Sequence, residues 1–413
     1  MTPPSIAILT TGNELLNGDR TDTNTGTIAR RLNECGFQVD MSVSVADSPD
    51  RIEAALRQLA QQVRIIITTG GLGSTGDDLT ARAAARFSGQ PLAVNEEALT
   101  MIRQFATRSG RTLESLTERQ ALLPQKAVPL PNSVGTAPGF WLQHQQCDLF
   151  FLPGVPAEMT AMFDTAVLPT LQRTFTAGAA VQRRKYRLFG LSEPKVESLI
   201  PYQKLPEGVD VAFALDYPQV IIKLACSKAD ADILLNSAEK LLYAALGEFI
   251  VGQNDDTMAG QVGHLLTRQK KTLSLAESCT GGLIAQLLTR QAGASTFLER
   301  GAVTYADSAK IDWLKIDPDL LHRHGAVSEQ CAREMVRGIR RAADTDLAVA
   351  VTGIAGPDGG TTDKPVGTVY LALATDDIEQ VQRYRFSGSR EQVQIMTAHM
   401  ALEWLRRYLL GSC

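Results

Sequence analysis

The spacing of apolar positions changes repeatedly along this chain. Short, nearly continuous apolar runs at 5–9, 63–68 and 272–275 read as strands buried on both faces. Between them lie segments with helical spacing. Ile52, Leu56 and Leu59 share one face of 49–61, and Leu283, Ile284, Leu287 and Leu288 do the same further on. Residues 25–35 read as a helix ended by Gly36, and 37–45 alternate as a strand. This strand–helix alternation predicts an α/β fold, a mostly parallel sheet with helices on both faces. Ligands of such sheets sit beyond the carboxyl ends of the strands. Turns of small residues fall at those ends: Thr11-Gly12, Thr69-Gly70-Gly71-Leu72-Gly73, Ser278-Cys279-Thr280-Gly281-Gly282 and Thr352-Gly353.

Two linker-like stretches, 174–180 and 252–256, divide the chain into three domains: 1–172, 181–252 and 257–413. The middle one reads as a small α+β unit, with strands at 186–189, 211–215 and 220–226 and helices at 193–200 and 230–245. It combines no nucleophile with a base, so candidate chemistry falls in the outer two.

Composition narrows the function classes. The net charge is −4. No Lys/Arg run exceeds three residues, which speaks against a nucleic-acid face. No apolar stretch approaches the roughly 20 residues of a membrane helix. The start, Met-Thr-Pro-Pro, has no basic region of a secretory signal. The six cysteines (35, 147, 226, 279, 331 and 413) show no CxxC spacing, which suits a reducing compartment. The expectation is a cytoplasmic protein acting on small molecules.

In the third domain, strand, turn and helix start meet at Ser278, and backbone N–H groups at a helix start form a natural anion or oxyanion site. Serine is also a favoured N-cap, so this turn alone leaves capping and catalysis equally open. Cys279 beside it reads as a small buried hydrophobe. Lys310 follows Tyr305 in the first turns of a helix. A surface charge is the ordinary reading, whereas a partly buried lysine beside a serine is a known variant of triad chemistry. The loop at 356–360, returning through 364–369, can line a phosphate with N–H groups or be plain surface.

Taken together, AESCTGG (276–282), FLERGAVTYADSAK (297–310), HGAVSE (324–329), TGIAGPDGG (352–360) and KPVGTV (364–369) resemble the C-terminal domain of the CinA family. The resemblance implies a nicotinamide mononucleotide (NMN) deamidase of pyridine-nucleotide salvage that needs no cofactor. By position it implies Ser278 as nucleophile, Lys310 as its partner and Tyr305 beside the pyridine ring. Thr280, Gly281, Gly282, Thr352, Gly353, Gly356 and Gly367 would line the ligand, and Arg390 would hold its phosphate. The family's Gly-Ser-Ser stands here as Gly293-Ala294-Ser295-Thr296, and the resemblance implies Ser295, as the first serine, as a further substrate contact.

In the first domain, the glycine turn runs into Ser74-Thr75-Gly76-Asp77-Asp78. Glycines admit a phosphate to the backbone and adjacent carboxylates attract a divalent cation; acids at a helix start also favour its dipole. TGNELL (11–16), DTNT (22–25), GTAPGF (135–140) and LPGVPAEM (152–159) resemble the MoaB/MogA-like molybdopterin-binding fold as the CinA family uses it, a three-layer α/β domain. That resemblance implies an ADP-ribose pyrophosphatase dependent on Mg²⁺ or a similar ion. Asp47 and Asp78 would be its acidic pair, Asp77 and Glu14 further metal candidates, and Gly71, Gly73, Thr75 and Asn24 substrate contacts. Ser74 stands where proline is usual and Asn132 where glycine often occurs. The family also implies a homodimer. The competing readings are a molybdopterin-binding protein and a nucleotide-binding protein without turnover. Fold resemblance alone does not choose among these.

Overall fold

The computed structural model describes residues 3–76, 78–110 and 118–411. These divide into two units, one of Met1–Gln182 with Ser227–Ala231, the other of Arg183–Cys226 with Asp232–Cys413.

In the first unit, strands β1 (Ile6–Thr11), β2 (Met41–Val45) and β3 (Ile65–Thr69) are followed by a small pair, β4 (Leu92–Val94) and β5 (Leu122–Pro124), then β6 (Val128–Leu130), β7 (Gly139–His144) and β8 (Cys147–Leu152). The six-stranded sheet has the order β2-β1-β3-β8-β7-β6. Strands β2, β1, β3 and β8 are parallel, and β8, β7 and β6 antiparallel. The sheet is thus mostly parallel, as expected, with an antiparallel edge that the sequence reading did not foresee. Within that edge β8 carries no alternating signature, because it is buried along its whole length. Side chains alternate between two cores. Ala7, Leu9 and Ile66 face the helices Pro49–Ala60 and Thr80–Ser88, while Ile6, Ile8, Ile65 and Ile67 face Thr23–Glu34 and Pro156–Met162. Three layers result, as the α/β reading requires.

The second unit holds two sheets. One is antiparallel where its registers are defined and has the order β10-β11-β9-β12, from β9 (Gln182–Leu188), β10 (Val209–Asp216), β11 (Gln219–Cys226) and β12 (Ile250–Gln253). The other is built from β13 (Leu273–Glu277), β14 (Leu298–Val303), β15 (Leu347–Gly353), β16 (Thr368–Ala374) and β17 (Glu379–Arg385), in the order β14-β13-β15-β16-β17. Here β14, β13 and β15 are parallel, and β16 and β17 antiparallel. One face is large and branched: Leu273, Leu275, Leu347, Val349, Leu371 and Leu373 pack on helices Met258–Gln269, Leu283–Thr289 and Arg390–Leu409. The other face is alanine: Ala276, Ala348, Ala350, Ala372 and Ala374. Small side chains let helix Glu329–Ala343 lie close against it. That helix in turn receives the short helix Asp307–Leu314 against Gly338, where a Cβ would fall 2.4 Å from the Leu314 carbonyl. Among the described residues, no helix is long and apolar enough to cross a membrane.

Candidate active site

Parallel pairing of β13 with both β14 and β15 sets its carboxyl end at the middle of the sheet edge, and Ser278 is the next residue. The Ser278 N–H donates to the Val351 carbonyl at 3.0 Å, and the Ser278 carbonyl accepts from Gly281 at 3.1 Å. The turn then passes through left-handed conformations at Gly281 (φ 64) and Gly282 (φ 97), the region where a Cβ is penalised.

The N–H groups at the start of helix Leu283–Thr289 are not available for an anion. Glu277, the last residue of β13, is 1% exposed, and its carboxylate fills that position. Oε2 accepts from the Gly282 and Ile284 N–H groups, each at 3.1 Å, and Oε1 from Ala285 at 2.9 Å. The expected oxyanion site at this helix start is therefore corrected, since the chain supplies the anion itself. Sequence pattern did not reveal Glu277, because its partners are backbone groups five to eight residues ahead.

Lys310 is the other half of the site. It is 1% exposed, on helix Asp307–Leu314. Its Nζ donates to the carbonyls of Thr304 (2.9 Å) and Tyr305 (3.0 Å) and lies 3.3 Å from Ser278 Oγ. Burial pushes its pKa below the ordinary lysine value, because desolvation penalises the ammonium, and Cys331 and Asp307 oppose the shift more weakly. The Asp307 carboxylate is 3.9 Å from Nζ and largely exposed. A lysine so placed can shed its proton and accept one from the serine hydroxyl. Cys279, by contrast, is buried with its thiol pushed up to about 12, chiefly by desolvation, which removes it as a nucleophile near neutral pH.

Around this pair, Tyr305 turns its ring outward, and its hydroxyl accepts from Arg390 Nη2 at 2.9 Å. Arg390 Nη1 donates to the Gly356 carbonyl at 2.7 Å, so the guanidinium links the tyrosine to the glycine loop. Thr352 donates to the Ala326 carbonyl at 2.8 Å. Two glycines of the loop are explained by packing. A Cβ on Gly353 would lie 2.7 Å from the Thr368 carbonyl, and one on Gly367 1.8 Å from that of Phe386. The Thr280 hydroxyl is buried without a partner among the described residues. Thr280, Gly281 and Gly282 also line a groove of about 480 Å³ with Glu391 and Gln394. Ser295 is not brought to this site. It lies exposed in the turn Ala294–Thr296, ahead of β14. Register sets the start of β14 beside Leu273 and its end beside Glu277, which separates Ser295 from Ser278 by roughly 15 Å of strand.

In the first unit, the small-residue turns line a cleft of about 570 Å³, a size that suits a nucleotide-sized ligand. Gly71, Gly73, Thr75, Asp47, Asp78 and Glu14 all border it. Asp47 Oδ2 accepts from the Asn13 N–H at 2.9 Å, and Asp78 Oδ2 from the Thr75 N–H (2.9 Å) and hydroxyl (2.6 Å). Asn24 borders an adjoining lobe of about 330 Å³. Its amide donates to Thr69 Oγ1 and the Gly154 carbonyl, and its own oxygen is buried without a partner among the described residues. Sequence reasoning missed Glu158, which also borders the cleft. Asn132, the departure from glycine, accepts from the Val134 and Gly135 N–H groups and donates to Glu158 Oε2 at 2.7 Å. It closes the loop and fixes that carboxylate. Asp77 lies outside the described residues. Among the described residues, no three His, Cys, Asp or Glu side chains converge as a metal-binding group. Mg²⁺ is commonly held by one or two carboxylates together with phosphate oxygens, and Asp47 and Asp78 suit that mode.

Two family models match the chain: the CinA C-terminal domain over 255–409 and the probable molybdopterin binding domain over 7–173. The CinA-like protein of Syntrophotalea carbinolica is 54% identical over 98% of both chains. The CinA-like protein of Geobacter sulfurreducens is 47% identical over 98% of this chain and all of its own. A crystal structure of a CinA superfamily protein from Klebsiella pneumoniae, 38% identical, covers 37% of this chain and 96% of its own, with a TM-score of 0.36.

Proposed function

Because the chain belongs to the CinA family, we propose that its C-terminal domain hydrolyses the carboxamide of NMN to nicotinate mononucleotide and ammonia. The observation that carries this reading is Lys310, buried and depressed in pKa, with Nζ 3.3 Å from Ser278 Oγ. Ser278 Oγ attacks the carboxamide carbon while Lys310 takes its proton. The Thr280 hydroxyl, buried and unpartnered, supplies a donor to the developing oxyanion. Lys310 returns the proton to the departing nitrogen, ammonia leaves, and water then hydrolyses the acyl-serine by the same exchange. Tyr305 offers its ring to the pyridine, and Arg390 a planar fork to the 5′-phosphate. No step requires a metal. Ammonia release from NMN, measured with and without chelator, tests this. The expected result is release that chelator does not change and that Ser278→Ala abolishes. Release retained in that variant overturns the role of Ser278.

For the N-terminal domain we propose hydrolysis of the pyrophosphate of ADP-ribose to AMP and ribose 5-phosphate. The cleft bordered by Asp47, Asp78 and the glycine turn supports it. Asp47 and Asp78 would hold a divalent ion, which polarises a phosphoryl oxygen when bound. Gly71 and Gly73 admit the phosphates to the backbone, and Asn24 presents an acceptor to a ligand hydroxyl or amine.

A further inference from the structure

The geometry points to Glu277 as the positioning residue that sets the distance between Ser278 and Lys310, an inference that rests on those two forming the reactive pair. Three observations converge on it. First, its carboxylate gathers the N–H groups of Gly282, Ile284 and Ala285. The helix they begin has seven residues, Leu283–Thr289, too few to hold its own first turn in water. The turn ahead of it contains two left-handed glycines, the least restrained of backbones. Besides the carboxylate, the turn is held by the Ser278 N–H bond to Val351 and by the Gln394 amide, which donates to the Cys279 carbonyl at 2.8 Å, but only the carboxylate ties the start of the helix back to the end of β13.

Second, the backbone of Glu277 reaches the lysine. Its carbonyl accepts from the Thr304 N–H at 2.8 Å, and the Thr304 carbonyl accepts from Lys310 Nζ at 2.9 Å. One residue therefore fixes the serine turn through its side chain and the lysine through its main chain. Third, Glu277 is paired on both sides, to Val303 and Val351. It cannot move without the sheet, so the frame to which it ties the pair is rigid.

The chemistry of the side chain is specific. A carboxylate offers two acceptor oxygens to three donors. The amide of glutamine offers one oxygen and turns an NH₂ toward an N–H, so it cannot replace the carboxylate. Aspartate keeps the acceptors but is one methylene too short to reach the farthest of the three.

The test reads the serine directly, without relying on NMN. The intact chain is treated with a small fluorophosphonate, which phosphonylates an activated serine with loss of fluoride and of the hydroxyl proton. The rate at Ser278 is followed by mass spectrometry against pH, well below each variant's melting temperature. Wild type, Lys310→Ala, Glu277→Gln, Glu277→Asp and Thr257→Ala are compared. The last removes an N-cap from helix Met258–Gln269, which the Thr257 side chain caps at the Gly260 N–H. It reports mere loss of stability in the same unit. Expected is a fall of about 10²-fold in Glu277→Gln, the cost of a misplacement near 1 Å, a smaller fall in Glu277→Asp, and a wild-type rate in Thr257→Ala. With NMN, kcat falls while KM stays within a few-fold. Should Glu277→Gln not fold, Glu277→Asp carries the comparison. Wild-type labelling in the Glu277 variants, with labelling lost in Lys310→Ala, overturns the positioning role and leaves the Ser–Lys pair standing. Absent labelling of the wild type, or labelling that Lys310→Ala does not reduce, overturns the pair and the positioning role with it.

Discussion

At the scale of single residues, the site turns on the ionisation of Lys310. Desolvation lowers its pKa, and its two carbonyl partners and Asp307 do not restore it. A base works in its neutral form, so the sign follows directly. Below its pKa Lys310 is an ammonium with no lone pair for the Ser278 proton, and above it the lone pair is free. NMN hydrolysis, read as kcat/KM, should rise with pH along a single limb, with a midpoint below the ordinary lysine range of about 10.4, and then level. Asp307, 3.9 Å from Nζ, stabilises the ammonium. Asp307→Asn should therefore move that limb to lower pH, by a small step because the carboxylate is largely exposed and screened. A limb that moves to higher pH, or a profile without a limb, would remove Lys310 as the base.

At the scale of elements, the glycines of the loops separate steric need from ligand need. Gly281 has φ 64 with nothing near its missing Cβ, whereas Gly367 has φ 88 with the Phe386 carbonyl 1.8 Å from where a Cβ would stand. Gly281→Ala should cost about 1–2 kcal/mol, the ordinary penalty of a left-handed alanine. Gly367→Ala should cost clearly more, because β16 must part from the chain at Phe386. Urea unfolding of the two variants measures the difference, and equal losses would refute the steric account. Sequence reading reached Gly367 only as a ligand contact, through a motif. The same contrast marks what was legible elsewhere. β1, β3 and β13 were readable because strands buried on both faces are continuous apolar runs. The antiparallel halves of both sheets were not readable as such: β8 is buried along its whole length and β16 nearly so, which leaves no alternation, and the mostly exposed β17 has no apolar face to mark it. Ser278 and Lys310 were legible as a pair only through the family's motifs, since their contact spans 32 residues and two elements. Glu277 was silent, its partners being backbone.

At the scale of the whole molecule, the second unit carries a buried ion cluster on helix Arg390–Leu409. Glu403 accepts from Arg406 Nε (2.7 Å) and Nη2 (2.9 Å) and from Arg407 Nε (2.6 Å), and Arg406 Nη2 also reaches the Glu248 carbonyl at 2.8 Å. Glu403 and Arg406 are both more than nine-tenths buried. Such a pair contributes little beyond what apolar packing would give, but half of it is costly, because one charge remains without its partner in a low dielectric. Glu403→Ala should therefore lower the unfolding free energy of this unit by about 3–5 kcal/mol, whereas Glu403→Met combined with Arg406→Leu should recover most of that loss. Arg406 lies sixteen residues beyond Arg390 on the same helix, roughly 24 Å at 1.5 Å per residue, so the cluster has no direct hold on the Ser278–Lys310 pair. NMN turnover per folded molecule should accordingly match wild type in both variants at a temperature where each is folded. Stability from chemical denaturation and turnover from ammonia release are then independent readouts. A double variant as unstable as the single one would mean that the ion pair itself, rather than the avoidance of a lone buried charge, holds the helix in place. A loss of turnover at full folding would mean that the helix transmits the state of its far end to Arg390 and through it to Tyr305.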